Sequence, residues 1–145
     1  FLGFSLWVAP GREVKRRVSR KSLAVMKQRV RWLTRRTRGR SLAQVVERLR
    51  GYLVGWKAYF RLADTPRVFS DLDQWIRHRL RAIQLRHWRR GRTIYRELCA
   101  RGMPHDTARQ IAANSRRWWR NSRYLLNAVF PIRFFDELGL PRLAA

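Results

Sequence analysis

Side chains able to do covalent or proton-transfer chemistry are scarce in this sequence. The stock is three histidines, one cysteine and nine carboxylates. His78, His87 and His105 are scattered, and His78 and His87 are not spaced like two ligands on one helical turn; solvated or groove-facing rings are expected. No His-Glu-x-x-His pair and no Gly-rich phosphate loop is present. Cys99 falls in a helical pattern and is expected to be a small core residue. A single cysteine also excludes a disulfide framework and a Cys-based zinc site. Asp71 and Asp73 are two apart, so they do not share a helix face, and Asp71 is placed to favour a helix N-terminus. Asp136 and Glu137 stand alone. A two-metal polymerase or nuclease centre needs clustered carboxylates to hold its cations. The segment is therefore expected to do no chemistry alone, with no catalytic residue, no metal and no cofactor of its own.

Binding chemistry is abundant by contrast. Lys and Arg number 34 against 9 Asp and Glu, a net charge of +25, and thirty of the cations are arginine. Such a balance selects a polyanion, and guanidinium forks grip phosphates and stack on bases. Hydrophobic residues make up 46% and include seven Trp, too many for a disordered basic tail. The run Ser115-Arg116-Arg117-Trp118-Trp119-Arg120-Asn121-Ser122-Arg123 combines both chemistries, since arginines neutralise phosphate while rings stack on bases. One of Trp118 and Trp119 is expected in the core and the other in a groove or stack; the residues leave open which is which. No apolar run approaches the roughly 18 residues of a membrane span.

The elements that must carry these residues are mostly helical. Phe1–Trp7 and Val14–Val18, separated by Pro10-Gly11, read as a β-hairpin. Ser19 caps a helix to about Arg36, with Leu23, Met26, Val30 and Leu33 on one face. Lys21, Lys27, Arg31 and Arg35 share a neighbouring face, and Arg36, Arg38 and Arg40 form a basic loop around Gly39. Ser41 caps a second helix with the stripe Leu42, Val45, Val46, Leu49, Leu53, Trp56 and Phe60. Gly51, Gly55 and Ala58 lie opposite that stripe. A mid-helix glycine costs about 0.5–1 kcal/mol, so close approach is expected there, by a packed helix or by nucleic-acid backbone. Thr65-Pro66 starts a third helix to about Trp88, with Phe69, Leu72, Ile76, Leu80 and Ile83 inward and Arg77 and Arg81 opposite. Arg79 and Arg86 fall at the stripe's edge, to snorkel, to reach RNA, or to pair with Glu47, Asp71 or Asp73. Arg89, Arg90 and Arg92 flank Gly91 at a boundary. Shorter helices follow, over Thr93–Arg101, Pro104–Ala113 and Pro131–Leu138. The expected fold is mainly α: a short N-terminal β-hairpin, a three-helix bundle and a smaller helical C-terminal region.

Five blocks carry a family resemblance in their order and spacing. They are Phe1-Leu2-Gly3-Phe4, the run from Arg50-Gly51-Tyr52 to Ala58-Tyr59-Phe60, Leu72-Asp73-Gln74-Trp75-Ile76-Arg77, Asn114–Ser122 and Leu138-Gly139-Leu140-Pro141. Together they resemble the C-terminal part of group II intron reverse transcriptase/maturase proteins. Ala58 and Arg117 depart from the family pattern, which usually has a polar residue and a glycine there. The resemblance implies three regions: 1–18 as the end of the polymerase palm, with Phe1, Leu2, Gly3 and Phe4 primer-grip-like; 19–90 as the thumb-like X or maturase domain; and 91–145 as a basic-aromatic DNA-binding region. It implies binding to intron RNA to promote splicing, and clamping of an RNA template/DNA primer duplex for RNA-directed DNA synthesis during intron mobility.

The partners so implied are intron RNA, the template–primer duplex, target DNA, and the palm and fingers of the same parent polypeptide, with no membrane. The catalytic Tyr-X-Asp-Asp block is not in this sequence, nor is the zinc-containing endonuclease domain of some relatives. The chain is expected to be a fragment starting after the catalytic block, with divalent Mg belonging to the palm. The expected location is cytoplasmic, of bacterial type and at the nucleoid when on DNA. The residues expected to meet nucleic acid are Lys21, Lys27, Arg31, Arg35, Arg36, Arg38, Arg40, Arg77, Arg81, Arg89, Arg90, Arg92, Arg116, Arg117, Trp119, Arg120 and Arg123. Gly51, Gly55 and Ala58 offer the close-approach face. Alternatives from other classes are a stand-alone structural RNA-binding protein, a degenerate mobile-element remnant, and a basic amphipathic membrane-surface protein.

Overall fold

A computed structural model describes residues 3–35, 39–123 and 125–144. It is mainly helical behind an N-terminal hairpin. Strands β1 (Phe4–Val8) and β2 (Val14–Val18) pair antiparallel, with Phe4 opposite Val18 and Val8 opposite Val14. The turn between them uses two left-handed residues, Gly11 and Arg12. The hairpin is fastened to the body at two points. Asp64 donates its N–H to the Arg16 carbonyl at 2.7 Å and accepts from the Arg16 N–H at 2.9 Å. The Gly3 carbonyl accepts from the Ser19 N–H at 2.8 Å and the Ser22 hydroxyl at 3.0 Å. Gly3 has φ +89°, and a Cβ there would lie 2.8 Å from Ser22 Oγ and 3.1 Å from the Phe60 ring. Only glycine fits both the backbone and the space.

Three long helices follow: α1 (Arg20–Leu33), α2 (Leu42–Tyr59) and α3 (Pro66–Trp88). Ser19 caps α1 by accepting from the Ser22 N–H, and Ser41 closes a full capping box with Gln44. Thr65 occupies the N-cap of α3 but makes no side-chain cap bond, and its hydroxyl is buried without a partner among the described residues. Its backbone (φ −131°, ψ 69°) departs from the extended cap geometry. The apolar stripes merge into one core: Met26, Val30 and Leu33 of α1; Val45, Val46, Leu49, Leu53 and Trp56 of α2; Leu72, Ile76, Leu80 and Ile83 of α3.

The same buried cluster continues into the C-terminal elements through Ile94, Leu98, Ile111, Leu126, Phe130, Phe135 and Leu143. These elements are α4 (Gly91–Ala100), α5 (His105–Ala113), α6 (Trp118–Asn121), a 3-10 turn at Leu125–Asn127, and α7 (Ile132–Glu137). Helices α4 and α5 pack so closely that a Cβ on Gly91 would lie 2.7 Å from the Ala112 carbonyl oxygen. A backbone oxygen cannot swing aside as a side chain does. Gly91→Ala is therefore expected to cost about 1–3 kcal/mol through overpacking, read as a lower urea midpoint. An unchanged midpoint would show that α4 and α5 can part at no cost.

The last residues return to α3. Asp73, buried, accepts from the backbone N–H groups of Leu143 and Ala144 at 2.9 and 3.0 Å. Lys57 donates to the Arg142 carbonyl at 2.7 Å, and Arg142 forks onto Asp136 through Nε and Nη2. That pair holds the Asp136 carboxyl below the usual carboxylate range. Asp136 and Glu137 do not stand alone as the sequence suggested, since Glu137 also pairs, with Arg133 at 3.0 Å.

Candidate nucleic-acid interface

Three cationic surfaces emerge. On the first, Lys27 and Arg31 of α1 and Arg79 of α3 surround the Trp75 ring, with their charged groups 5.7, 5.4 and 5.6 Å from its centroid. Arg79 is fixed by Nε and Nη2 donating to Thr34 Oγ1 at 3.1 and 2.8 Å. The Thr34 hydroxyl in turn donates to the Val30 carbonyl at 2.7 Å. Burial, then the charges of Arg31 and Arg86, push the Arg79 pKa down. Of the fates open to Arg79, the structure selects a hydroxyl partner at the bundle margin rather than Glu47, Asp71 or Asp73. Lys21, Arg31 and Arg35 are exposed and Lys27 is half-buried.

The second surface is a groove of about 1430 Å³ where the loop before α2, the end of α3, the start of α4 and the segment after α5 meet. Its lining includes Arg40, Arg86, His87, Arg89, Arg90, Arg116 and Trp118, and contains no carboxylate. The Arg86 guanidinium lies 4.9 Å from the Trp118 ring centroid. Arg89 ends α3 at φ +65°, ψ −56°, the centre of a γ-turn closed by the Arg90 N–H donating to the Trp88 carbonyl at 2.7 Å. That backbone is strained for any residue with a Cβ, at a cost of about 1–3 kcal/mol. Arg92 is exposed on α4, outside the residues that line the groove.

The third is the basic-aromatic block around α6. Trp118 is half-buried and packs against the core, its Nε1 enclosed without a hydrogen-bond partner among the described residues. Trp119 is the outer ring. It stacks on His78 with centroids 3.6 Å apart, and His78 Nε2 lies 2.7 Å from the Trp119 carbonyl. A carbonyl only accepts, so that nitrogen carries the proton. Burial outweighs this bond and lowers the His78 pKa, helped by Arg123 and Arg81. Arg117, Arg120 and Arg123 are exposed around the ring pair.

Two of the expected residues lie elsewhere than the sequence placed them. Arg77 and Arg81, read as facing away from the core, are buried, at 9% and 6% exposure. The face opposite the apolar stripe of α3 is covered by the C-terminal elements, so α3 is buried on two sides. Arg81 Nε donates to the Phe130 carbonyl at 2.9 Å and its guanidinium lies over Phe135 at 5.3 Å. Burial, reinforced by Arg77, brings its pKa down to about 10. Burial also lowers the Arg77 pKa, while the Asp73 charge opposes that shift.

The small-residue face of α2 also differs. Gly51 and Gly55 have nothing within 4 Å of an added Cβ, and Ala58 is exposed. Among the described residues no helix packs there, which removes the packed-helix explanation within this chain. Phe4 is half-buried against Tyr59 and Phe60, with centroids 6.1 and 5.1 Å apart, and Gly3 braces α1 as described. Phe1, Leu2, Arg36 and Arg38 lie outside the described residues. Asp73, the pin for the C-terminal backbone, was missed as a structural residue; its only signal was a carboxylate one turn before Arg77. Cys99 is half-buried against the core, with Sγ 3.4 Å from His105 Nδ1. Among the described residues no cluster of three His, Cys, Asp or Glu could hold a metal, and no helix is long and apolar enough to cross a membrane.

Residues 23–102, more than half the chain, match the family described as group II intron, maturase-specific domain. The chain belongs to that family: it is a C-terminal part of a group II intron maturase, and its work lies in intron splicing. The match takes in α2, α3, α4 and most of α1. No curated protein matches the chain.

Proposed function

We propose that this segment binds group II intron RNA through the groove at the α3–α4 junction and the cationic face of α1, and promotes splicing by holding the RNA in its active fold. The observation that carries this is the groove itself: arginines from three separate stretches of the chain, at 40, 86–90 and 116, line it with no carboxylate among them. Maturase action is then binding work, in which tighter affinity for the splicing-competent fold shifts the RNA equilibrium toward it. An A-form helix offers a wide, shallow minor groove and a phosphate backbone, which suits recognition by charge and shape. In the parent polypeptide the same surfaces would steady an RNA template/DNA primer duplex, and the block at Arg116–Arg123 would contact target DNA. The catalytic carboxylates and magnesium would lie in the palm.

The test is the salt dependence of intron-RNA binding. Engagement of about five phosphates gives a slope of log affinity on log salt near −4, and a loss on the order of a hundredfold between 50 and 200 mM salt. A nearly flat response would sink the phosphate clamp. A scrambled RNA of equal length bound as tightly as the intron would leave charge neutralisation but remove fold selection.

A further inference from the structure

The open pocket between α3, α6, the 3-10 turn and α7, about 850 Å³, is built unlike the groove. One wall is the His78–Trp119 stack, with rings 3.6 Å apart and inclined by 21°. His78 covers one indole face, yet Trp119 remains 47% exposed; no other described ring stacks on it. The His78 ring backs the indole, and the Trp119 backbone is fixed as well: its carbonyl accepts from His78 at 2.7 Å and from the Ser122 hydroxyl at 2.9 Å. A platform fixed this way loses little freedom when a second ring settles on it.

Arg77 and Arg81 supply another wall. Both are buried, and among the described residues neither has a carboxylate within 4 Å. A guanidinium withdrawn from water is costly unless a carboxylate offsets it. The Asp73 charge one turn away does so in part for Arg77, no described carboxylate does so for Arg81, and an entering anion repays that cost. Arg123 and Arg133 also line the pocket and are exposed, and Asp71, exposed, is the one carboxylate in the lining, so cations outnumber it four to one. The volume falls within the roughly 300–1,000 Å³ of small-ligand sites.

We infer that this cavity takes a single unpaired nucleotide, its base on the open face of Trp119 and its phosphate against Arg81 and Arg123. An acidic peptide would satisfy the cations but leave the indole wet, so the ring and the charges together favour a nucleotide. The inference rests on the nucleic-acid reading above and adds to it a site for one extruded or single-stranded residue.

The test compares labelled hexauridylate, hexathymidylate and a twelve-base-pair RNA duplex on the intact chain. Trp119→Ala is expected to lower the ratio of single-strand to duplex affinity about tenfold, the scale of one lost base stack. Trp119→Phe keeps a ring and should restore most of that ratio, and thermal melting of both variants reports on folding. Whichever hexamer loses more identifies the strand that supplies the nucleotide. An unchanged ratio overturns the pocket, as does an octaglutamate peptide that binds with the same dependence on Trp119. If the unsubstituted chain binds neither duplex nor hexamer, the groove reading fails by itself. Uridine 5′-monophosphate against inorganic phosphate then decides the pocket: tighter, Trp119-dependent binding of the nucleotide supports it, and equal binding removes it.

Discussion

Asp73→Ala is expected to remove about 3 kcal/mol of folding stability, because its buried carboxylate pins residues 143 and 144 to α3. It accepts from two backbone N–H groups near the end of the chain, and hydrogen bonds to a charged group are worth about 1.5–3 kcal/mol each, less whatever water recovers. Its charge also opposes the desolvation of Arg77 one turn on, so removal leaves that guanidinium worse off. Asp73→Asn keeps one acceptor oxygen and should lose less than Asp73→Ala. Urea unfolding checks this as a fall in midpoint at unchanged slope. Deleting residues 143–145 should cost much of the same energy, and adding Asp73→Ala to the deletion should cost little more, since both changes break one contact. Full additivity would show that Asp73 stabilises α3 by some other route. A loss under about 0.5 kcal/mol, the level of an ordinary surface substitution, would show that the tail is not anchored there.

This residue also marks where sequence reading works and where it stops. The stripes Met26–Val30–Leu33, Val45–Leu49–Leu53 and Leu72–Ile76–Leu80 show in the sequence because apolar burial on one helical face leaves a period, and they are buried as read. Ser19 and Ser41 were legible because a cap needs a small polar side chain just ahead of that period. The second face of α3 was not legible. It is buried through Asp73, Arg77 and Arg81; the polar atoms of Asp73 and Arg81 find backbone or aromatic partners from distant segments. Hydropathy scores such a face as solvent, since burial of a charge is permitted only by partners a local window does not see. Asp136 with Arg142 escaped notice because an ion pair across a turn has no helical spacing. Of the candidate interface, the charge was plain and its geography was not. Arg40, Arg86, Arg89, Arg90 and Arg116 are spread over most of the chain, and only folding brings them to one groove.

That convergence sets the largest functional effect. The combined change Arg86→Gln, Arg90→Gln and Arg116→Gln is expected to weaken intron-RNA binding by on the order of a hundredfold or more at low salt, and to flatten the salt slope by about one per lost phosphate contact. All three side chains are exposed and form no ion pair with a described carboxylate, so stability should move by no more than about 0.5 kcal/mol at Arg90 and Arg116, and by about 0.5–1 kcal/mol at Arg86, which loses its contact with Trp118. Arg89 adds a sharper control. Its backbone is the positive-φ centre of a γ-turn, so Arg89→Gly relieves strain and is expected to raise stability by about 1 kcal/mol while removing a groove cation. Stability and affinity then move in opposite directions in one variant, which no general damage to the fold can imitate. Loss of affinity in the triple variant without a change in slope would mean that the groove shapes the protein rather than holding phosphate. Splicing assays complete the argument. If the groove holds the active RNA fold, the triple variant loses splicing at limiting protein and regains part of it at higher concentration, because the defect is one of occupancy rather than of chemistry.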